Sequence, residues 1–493
     1  MIEKSLVTTL RLHSSPITCL EPFYLPSTIS YNLQQNDDDD DDNGDDKKRS
    51  EHLLFNPSLI TADESGLIIW WNLSTRRPLG IWKPHNESIL SVQQLGINWD
   101  TDGKHNFNLS RLSNSYGQLL THSKDGTIKI WNLINFINKE NFNEGYTYSC
   151  LLKKKLINTN EDNYLSPPLL FEMPVNTLNF SNVQANSIFQ LVTPATTDSE
   201  GWDLYKIDLT QSEEYLKLKR LLQNQKVGLE KSSLKIQEVN NNFDDDDDDD
   251  DNDNDDVNTT DFTKRGRTGV IMKFAWIDSN RFIVGYENGH IIGFHIYQED
   301  SKYHVKQFLI EKSLDGNPIT SIVIDKVNDK ILCSSTGSKI CVIELSNQEH
   351  KSKIFETKRK GIHDISCDPY SNSIGIITWD GYTRIYEYDD ENIFKFNFKM
   401  RRQLPAISNS KEVIDNQNAE ISQVNNLQTQ RSSVLKFTEK QLDPRLNKDT
   451  TVNILYNNGR SKNIVRRNRE EIYGERWLFV GYQDGKVSMY SIS

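Results

Sequence analysis

Cysteine is scarce in this 493-residue chain: five residues, at 19, 150, 333, 341 and 367, with no C-x-x-C spacing and no adjacent histidine pair. That excludes a disulfide framework and makes a metal site improbable, and it predicts buried thiols in a reducing compartment. Long apolar runs are absent too. No stretch of about 18 apolar residues occurs, and the N-terminal MIEKSLVTTLRLH has no signal-peptide core, so a soluble nucleocytoplasmic protein is expected. Enzyme signatures are missing as well: no G-x-S-x-G, no P-loop, no H-E-x-x-H. No catalytic residue, metal ligand or cofactor site is therefore assigned.

The chain also has little charge imbalance outside two tracts. Of the formal net charge of -13, residues 36–49 contribute -5 and residues 243–256 contribute -11, which leaves the remainder near +3. The poly-Asp runs at 37–42 and 244–251 repel themselves and bury nothing, so both are expected to be disordered, solvated loops.

What is present is a repeated hairpin. In residues 118–133, QLLTHSKDGTIKIWNL, two apolar runs flank an Asp125-Gly126 turn, and Trp131 follows the Asp by six residues. Turns of this kind need residues that tolerate positive φ. The same grammar recurs at 59–73 with Gly66 and Trp71, at 283–296 with Gly289 and Phe294, at 374–388 with Gly381 and Tyr386, and at 478–492 with Gly485 and Tyr490. Two degenerate copies, 189–209 around Gly201 and 330–345 around Gly337, lack the aromatic. Seven hairpins predict a seven-bladed WD40 β-propeller, an all-β fold, spanning 1–493 as one domain.

Each hairpin is expected to follow an innermost strand: 15–20, 87–92, 174–180, 269–276, 318–324, 361–367 and 432–437. The turn glycines lie 48 and 44 residues apart at Gly289, Gly337 and Gly381, close to one WD unit, and 60 to 104 apart elsewhere. Polar insertions at 34–52, 98–116, 135–165, 211–262, 403–431 and 440–474 account for the excess, with 451–465 as the alternative of an eighth blade. Residues 5–12 read as a spare strand that closes the ring beside 486–492.

Histidine and aspartate in the second repeat invite a catalytic reading. His85, Thr121, Asp125 and Trp131 instead occupy the positions of a buried hydrogen-bond chain that orients strands, and such a chain is favourable only when fully satisfied. The first repeat keeps His13, Thr61 and Trp71 but has Ser65 where Asp125 stands, so its chain is expected to be weaker. Candidate partner-binding residues are Arg76, Arg77 and the loop around His85, because adjacent arginines on a short connection suit an acidic partner. Arg401-Arg402 lacks the Phe and Gly that flank the arginines of phosphoinositide-binding propellers. Trp71-Asn72-Leu73-Ser74 departs from the Trp-Asp-x-Arg of cullin-ligase receptors. A basic cluster at 460–469 reads as a solvated loop, not as a sequence-specific nucleic-acid site.

Three stretches, 60–85, 119–133 and 174–180, together resemble the fungal ASTRA-associated protein 1 family, WD-repeat proteins related to the G-protein β-subunit-like protein 1. The Thr-Arg-Arg-Pro connection followed by Trp-x-x-His is the most specific part. The resemblance implies a non-catalytic scaffold subunit of the ASTRA complex, involved in chromatin remodelling and in maturation of phosphatidylinositol-3-kinase-related kinases. It implies as partners RuvB-like AAA+ ATPases, a kinase-related transcription cofactor and kinase-maturation co-chaperones, with no cofactor and no membrane. A ubiquitin-ligase substrate receptor and a phosphoinositide-binding propeller are the competing classes.

Overall fold

Residues 59–62, Leu-Ile-Thr-Ala, and 68–71, Ile-Ile-Trp-Trp, are apolar on both sides of the strand, which suits a strand buried on both faces. In the computed structural model each side meets a different neighbour. Leu59, Ile69 and Trp71 pack with Phe479 and Met489 on one side. Ile60, Ala62, Ile68 and Trp70 pack with Ile89, Leu119 and Trp131 on the other. Alternation along a strand thus splits the apolar residues between two blade interfaces. Full burial of one such side chain stabilises by roughly 1.5–3 kcal/mol.

The structure describes residues 4–32, 51–73, 76–95, 117–133, 166–176, 181–208, 217–226, 268–326, 328–346, 350–368, 371–388, 394–403, 429–438 and 476–492. They form seven four-stranded antiparallel sheets and one two-stranded ribbon, Arg402–Gln403 with Thr429–Gln430. The fold is a seven-bladed β-propeller. From the axis outward, blade one is Ile17–Asn32, Glu51–Asp63, Ile68–Asn72 and Arg77–Trp82. Blade two is Ile89–Gln94, Gln118–Ser123, Thr127–Asn132 and Leu169–Pro174. Blade three is Gln184–Ala185, Gln190–Pro194, Trp202–Asp208 and Lys217–Gln225. Blade four is Ile271–Trp276, Arg281–Tyr286, Ile291–Glu299 and Lys302–Glu311. Blade five is Ile319–Asp325, Lys330–Ser335, Lys339–Glu344 and Ser352–Glu356. Blade six is Ile362–Cys367, Ser373–Thr378, Thr383–Tyr388 and Phe394–Met400.

Blade seven takes Ser432–Phe437, Arg476–Tyr482 and Lys486–Ile492 from one end of the sequence and Lys4–Arg11 from the other. The N-terminal strand runs antiparallel to the last one, with Leu10 opposite Val487 and Lys4 opposite Ile492. Leu10 is buried there. The ring is thereby joined without a linker, and the edge of the last strand is covered.

The turn glycines Gly66, Gly126, Gly289, Gly381 and Gly485 all have positive φ, between 74° and 86°, whereas Gly201 and Gly337 of the degenerate repeats do not. At Gly66 space adds to conformation: a Cβ would lie 2.2 Å from the carbonyl oxygen of His85 in the next blade's approach, and at Gly485 2.4 Å from that of His13. Turn and neighbouring blade therefore touch through backbone.

Three sequence-based boundaries change. The innermost strand of blade three is Gln184–Ala185 rather than 174–180, because Pro174 still pairs with Thr127 and closes blade two. The expected insertion 211–262 contains Lys217–Gln225, the outer strand of blade three, whose largely exposed, lysine-bearing sequence hid it. The expected insertion 34–52 likewise overlaps the first two residues of a strand that starts at Glu51. The poly-Asp runs, the insertions 98–116, 135–165 and 440–474, residues 404–428 of the insertion 403–431, the alternative eighth-blade segment 451–465 and the basic cluster 460–469 lie outside the described residues.

Candidate partner-binding surface

The approach to blade two and its central hairpin bring His85, Thr121, Asp125 and Trp131 together. Trp131 Nε1 donates to Thr121 Oγ1 at 3.0 Å, that hydroxyl lies 2.9 Å from His85 Nε2, and His85 Nδ1 lies 2.9 Å from Asp125 Oδ2. A carboxylate can only accept here, so Nδ1 carries the proton, Nε2 accepts from the threonine hydroxyl, and every step runs one way. Burial lowers the pKa of His85, outweighing Asp125, which pulls it up. Asp125 is held below the ordinary carboxylate range: burial raises it, but hydrogen bonds from Thr127 and His85 outweigh that.

Blade one makes the same chain with a carboxylate from a different position. Trp71 Nε1 donates to Thr61 Oγ1 at 2.8 Å, and His13 lies 2.7 Å from Thr61 Oγ1 through Nε2 and 2.7 Å from Asp63 Oδ2 through Nδ1. Ser65, expected to leave this chain weaker, donates its hydroxyl to Asp63 Oδ1 at 2.7 Å. The two blades have exchanged residues: Asp63 precedes Gly66 by three, where blade two has Ser123, and Ser65 stands where blade two has Asp125. The expectation of a weaker blade-one chain is corrected. Asp63 is fully buried, whereas the Asp125 side chain is 18% exposed. Its carboxyl is nonetheless kept below the usual range, because hydrogen bonds from His13, Ser65 and Leu67 overcome the upward push of burial.

His85 has its side chain at 0% exposure and both nitrogens engaged, so it is corrected from contact residue to scaffold. Around it Lys83, Asn86 and Glu87 reach the surface. Arg76 and Arg77 lie elsewhere. Arg76 adopts φ +59° in the connection after the third strand of blade one, half-buried, and Arg77 is exposed at the start of the outer strand, opposite Asn72. His85 follows the far end of that strand, so the two sites are separated by a six-residue strand, about 20 Å, on opposite faces of the ring. The structure does not bring them together.

The other double arginine is internally engaged. Arg402 Nη1 bonds Asp484 Oδ2 at 2.5 Å and its guanidinium lies 5.7 Å from the Tyr482 ring. Arg401 lies 5.0 Å from the Tyr382 ring centroid. The pair is divided between two tyrosines rather than aimed at one headgroup.

Along the axis the innermost strands of all seven blades line a cavity of about 500 Å³. Two of its ionisable groups, Asp364 and Cys19, are occupied or suppressed. Asp364 accepts from Ser321 Oγ at 3.1 Å and from the amides of Ile365 and Leu435 at 3.0 and 3.2 Å, and burial pushes its pKa up. Burial also pushes the Cys19 thiol up to about 12, far from the thiolate a nucleophile needs. Among the described residues no three His, Cys, Asp or Glu side chains come together as a metal site requires. The arrangement can bind and hold shape.

Sequence similarity to known proteins extends over nearly the whole chain. The profile of the ASTRA-associated protein 1 family matches residues 6–490. The ASTRA-associated protein 1 of Komagataella phaffii is 30% identical, covering 98% of this chain and 96% of its own length. That of Debaryomyces hansenii is 27% identical over 82% of this chain and 85% of its own. Among solved structures the β-propeller domain of Myceliophteria thermophila Cps50 (Swd1) is similar, with a TM-score of 0.49, 11% identity and 100% of both chains covered. With its profile matched from the first blade-seven strand to the last, the chain belongs to the ASTRA-associated protein 1 family.

Proposed function

We propose that the chain is a non-catalytic scaffold subunit of the ASTRA complex. The observation that carries this reading is the match of residues 6–490 to a family named for association with ASTRA, which takes in every blade. A ring of stiff blades suits the role, since loops on two faces and outer strands on the rim offer separate surfaces held in fixed relation. The finer parts of the reading are a contribution to chromatin remodelling and to maturation of phosphatidylinositol-3-kinase-related kinases, action in the nucleus with the cytoplasm as second compartment, and contact with RuvB-like AAA+ ATPases, a kinase-related transcription cofactor and kinase-maturation co-chaperones.

Affinity purification of the full chain with quantitative mass spectrometry tests this. Recovery of ATPases and co-chaperones is expected; recovery of a cullin with its adaptor would favour a ubiquitin-ligase receptor, and flotation with phosphoinositide vesicles a membrane role. Arg76→Glu with Arg77→Glu is expected to lower recovery of an acidic partner while leaving the melting temperature unchanged. Undiminished recovery would remove that connection from the contact surface.

A further inference from the structure

The rim between blades five and six differs from the rest of the ring. Their outer strands, Ser352–Glu356 and Phe394–Met400, meet across the blade interface. Phe355 stacks on Phe394 with centroids 4.1 Å apart and planes at 22°. Phe355 also meets Tyr386 edge-on at 5.6 Å, and Tyr386 meets Phe396 at 5.6 Å. The aromatic ladder walls a groove of about 640 Å³ whose mouth carries Lys358, Arg359 and Lys399.

Charge and exposure here both depart from an ordinary surface. Residues 351–360 hold five Lys or Arg and residues 394–402 hold four, against the single carboxylate Glu356. Lys358, Arg359 and Lys360 are all exposed. Interleaved with the cations are apolar side chains facing solvent: Ile354 at 42%, Phe396 at 50% and, lying on Gly361 beside Lys360, Trp379 at 57%. Lysine on an outer strand alone would be read as protection against edge pairing. Protection does not require exposed aromatics or a groove beneath them. The outer edge of Ser352–Glu356 pairs with no other strand among the described residues, so its backbone groups are placed to accept an added strand.

The geometry points to this groove as a docking site for an extended acidic peptide carrying aromatic or aliphatic side chains at alternate positions. Its carboxylates meet Lys358, Arg359 and Lys360, its apolar side chains enter the groove and cover Phe396, and its backbone continues the sheet of blade five. A nucleic acid has the charge but neither a strand-pairing backbone nor alternating apolar groups, so the peptide fits more of the surface. The inference rests on the groove itself and not on the ASTRA assignment.

The probe is a fluorescein-labelled twelve-residue peptide of alternating Glu and Phe, titrated with the full chain and read by fluorescence polarisation. Lys358→Glu/Arg359→Glu/Lys360→Glu is expected to weaken binding at least tenfold, Phe396→Ser about fivefold, and the control Lys302→Glu/Lys306→Glu on the outer strand of blade four less than twofold, all with unchanged melting. The proposal is overturned if the triple variant binds as the wild type does, if a Glu–Ser peptide of equal charge binds as tightly, or if a twelve-nucleotide single strand binds more tightly than the peptide. Tenfold tighter binding after deletion of residues 243–256 would also overturn it, by making the chain's own acidic run the occupant.

Discussion

Blades one and two and blades five and six use the same hairpin for different ends. Four residues before their innermost strands, at Ile17 and Ile89, the first pair place His13 and His85, and each histidine is drawn into a Trp–Thr–His–Asp chain. Four residues before Ile362, blade six has Lys358, which is exposed. Its turn carboxylate, Asp380, is engaged by Arg384 of its own hairpin at 2.5 Å instead of by a histidine. Blades one and two spend their polar groups inward and gain rigidity. Blades five and six meet through aromatic rings, and Lys358, Arg359 and Lys360 between them face outward.

The comparison can be broken hardest at closure. Deleting residues 1–12 removes a strand, its seven register pairs and buried Leu10. A loss of at least the roughly 4 kcal/mol typical of a severe core truncation is expected in urea denaturation. Unchanged cooperative melting would count against the ring's dependence on that strand.

Next come the two histidines. His13→Ala removes the histidine donor from the Asp63 carboxylate, which keeps Ser65 and Leu67 but has no access to solvent, and is expected to cost about 3–5 kcal/mol. His85→Ala leaves Asp125, which still reaches solvent and keeps Thr127 as donor, and is expected to cost nearer 1–3 kcal/mol. The two denaturation midpoints decide this; a larger loss at His85 would restore the order that Ser65 suggested.

Acid acts more gently and on both regions. His85 and His122 of blade two and His363 of blade six have pKa values lowered by burial, His122 to about 3. A histidine whose folded pKa lies below its unfolded value of about 6.5 takes up its proton more readily when unfolded, so its contribution is complete above that value and is lost as pH falls below it. His85 and His122 are each expected to remove up to roughly 1.4 kcal/mol per pH unit below 6.5. Stability curves at pH 7, 6 and 5 test the sign, and His122→Gln should flatten the slope. The smallest effect belongs to the exposed cation Lys358: Lys358→Ala is expected to stay within about 0.5 kcal/mol of the wild type.

Spacing made the propeller legible. A glycine with positive φ, followed by an aromatic at a fixed distance, is a local requirement that survives low similarity, and it marked five blades outright. Blade three was hardest to bound, because its innermost strand is two residues long and its outer strand, Lys217–Gln225, is too polar to look like a strand. Asp63 was missed because the turn position drew attention to Ser65; an Asp three residues before the glycine, paired with a histidine ahead of the blade, is the signal that would have found it. The rim of blades five and six was invisible for another reason: Phe355 and Phe394 are 39 residues apart in sequence and 4.1 Å apart in the fold.

The central claim is that scaffold and contact surface are divided between these two regions. The measurement that addresses it most directly is quantitative affinity purification of the full chain beside its Lys358→Glu/Arg359→Glu/Lys360→Glu variant, each with a melting curve. The account predicts an unchanged melting temperature and the loss of at least one co-purifying partner. An identical partner set, recovered at wild-type amounts, would contradict it.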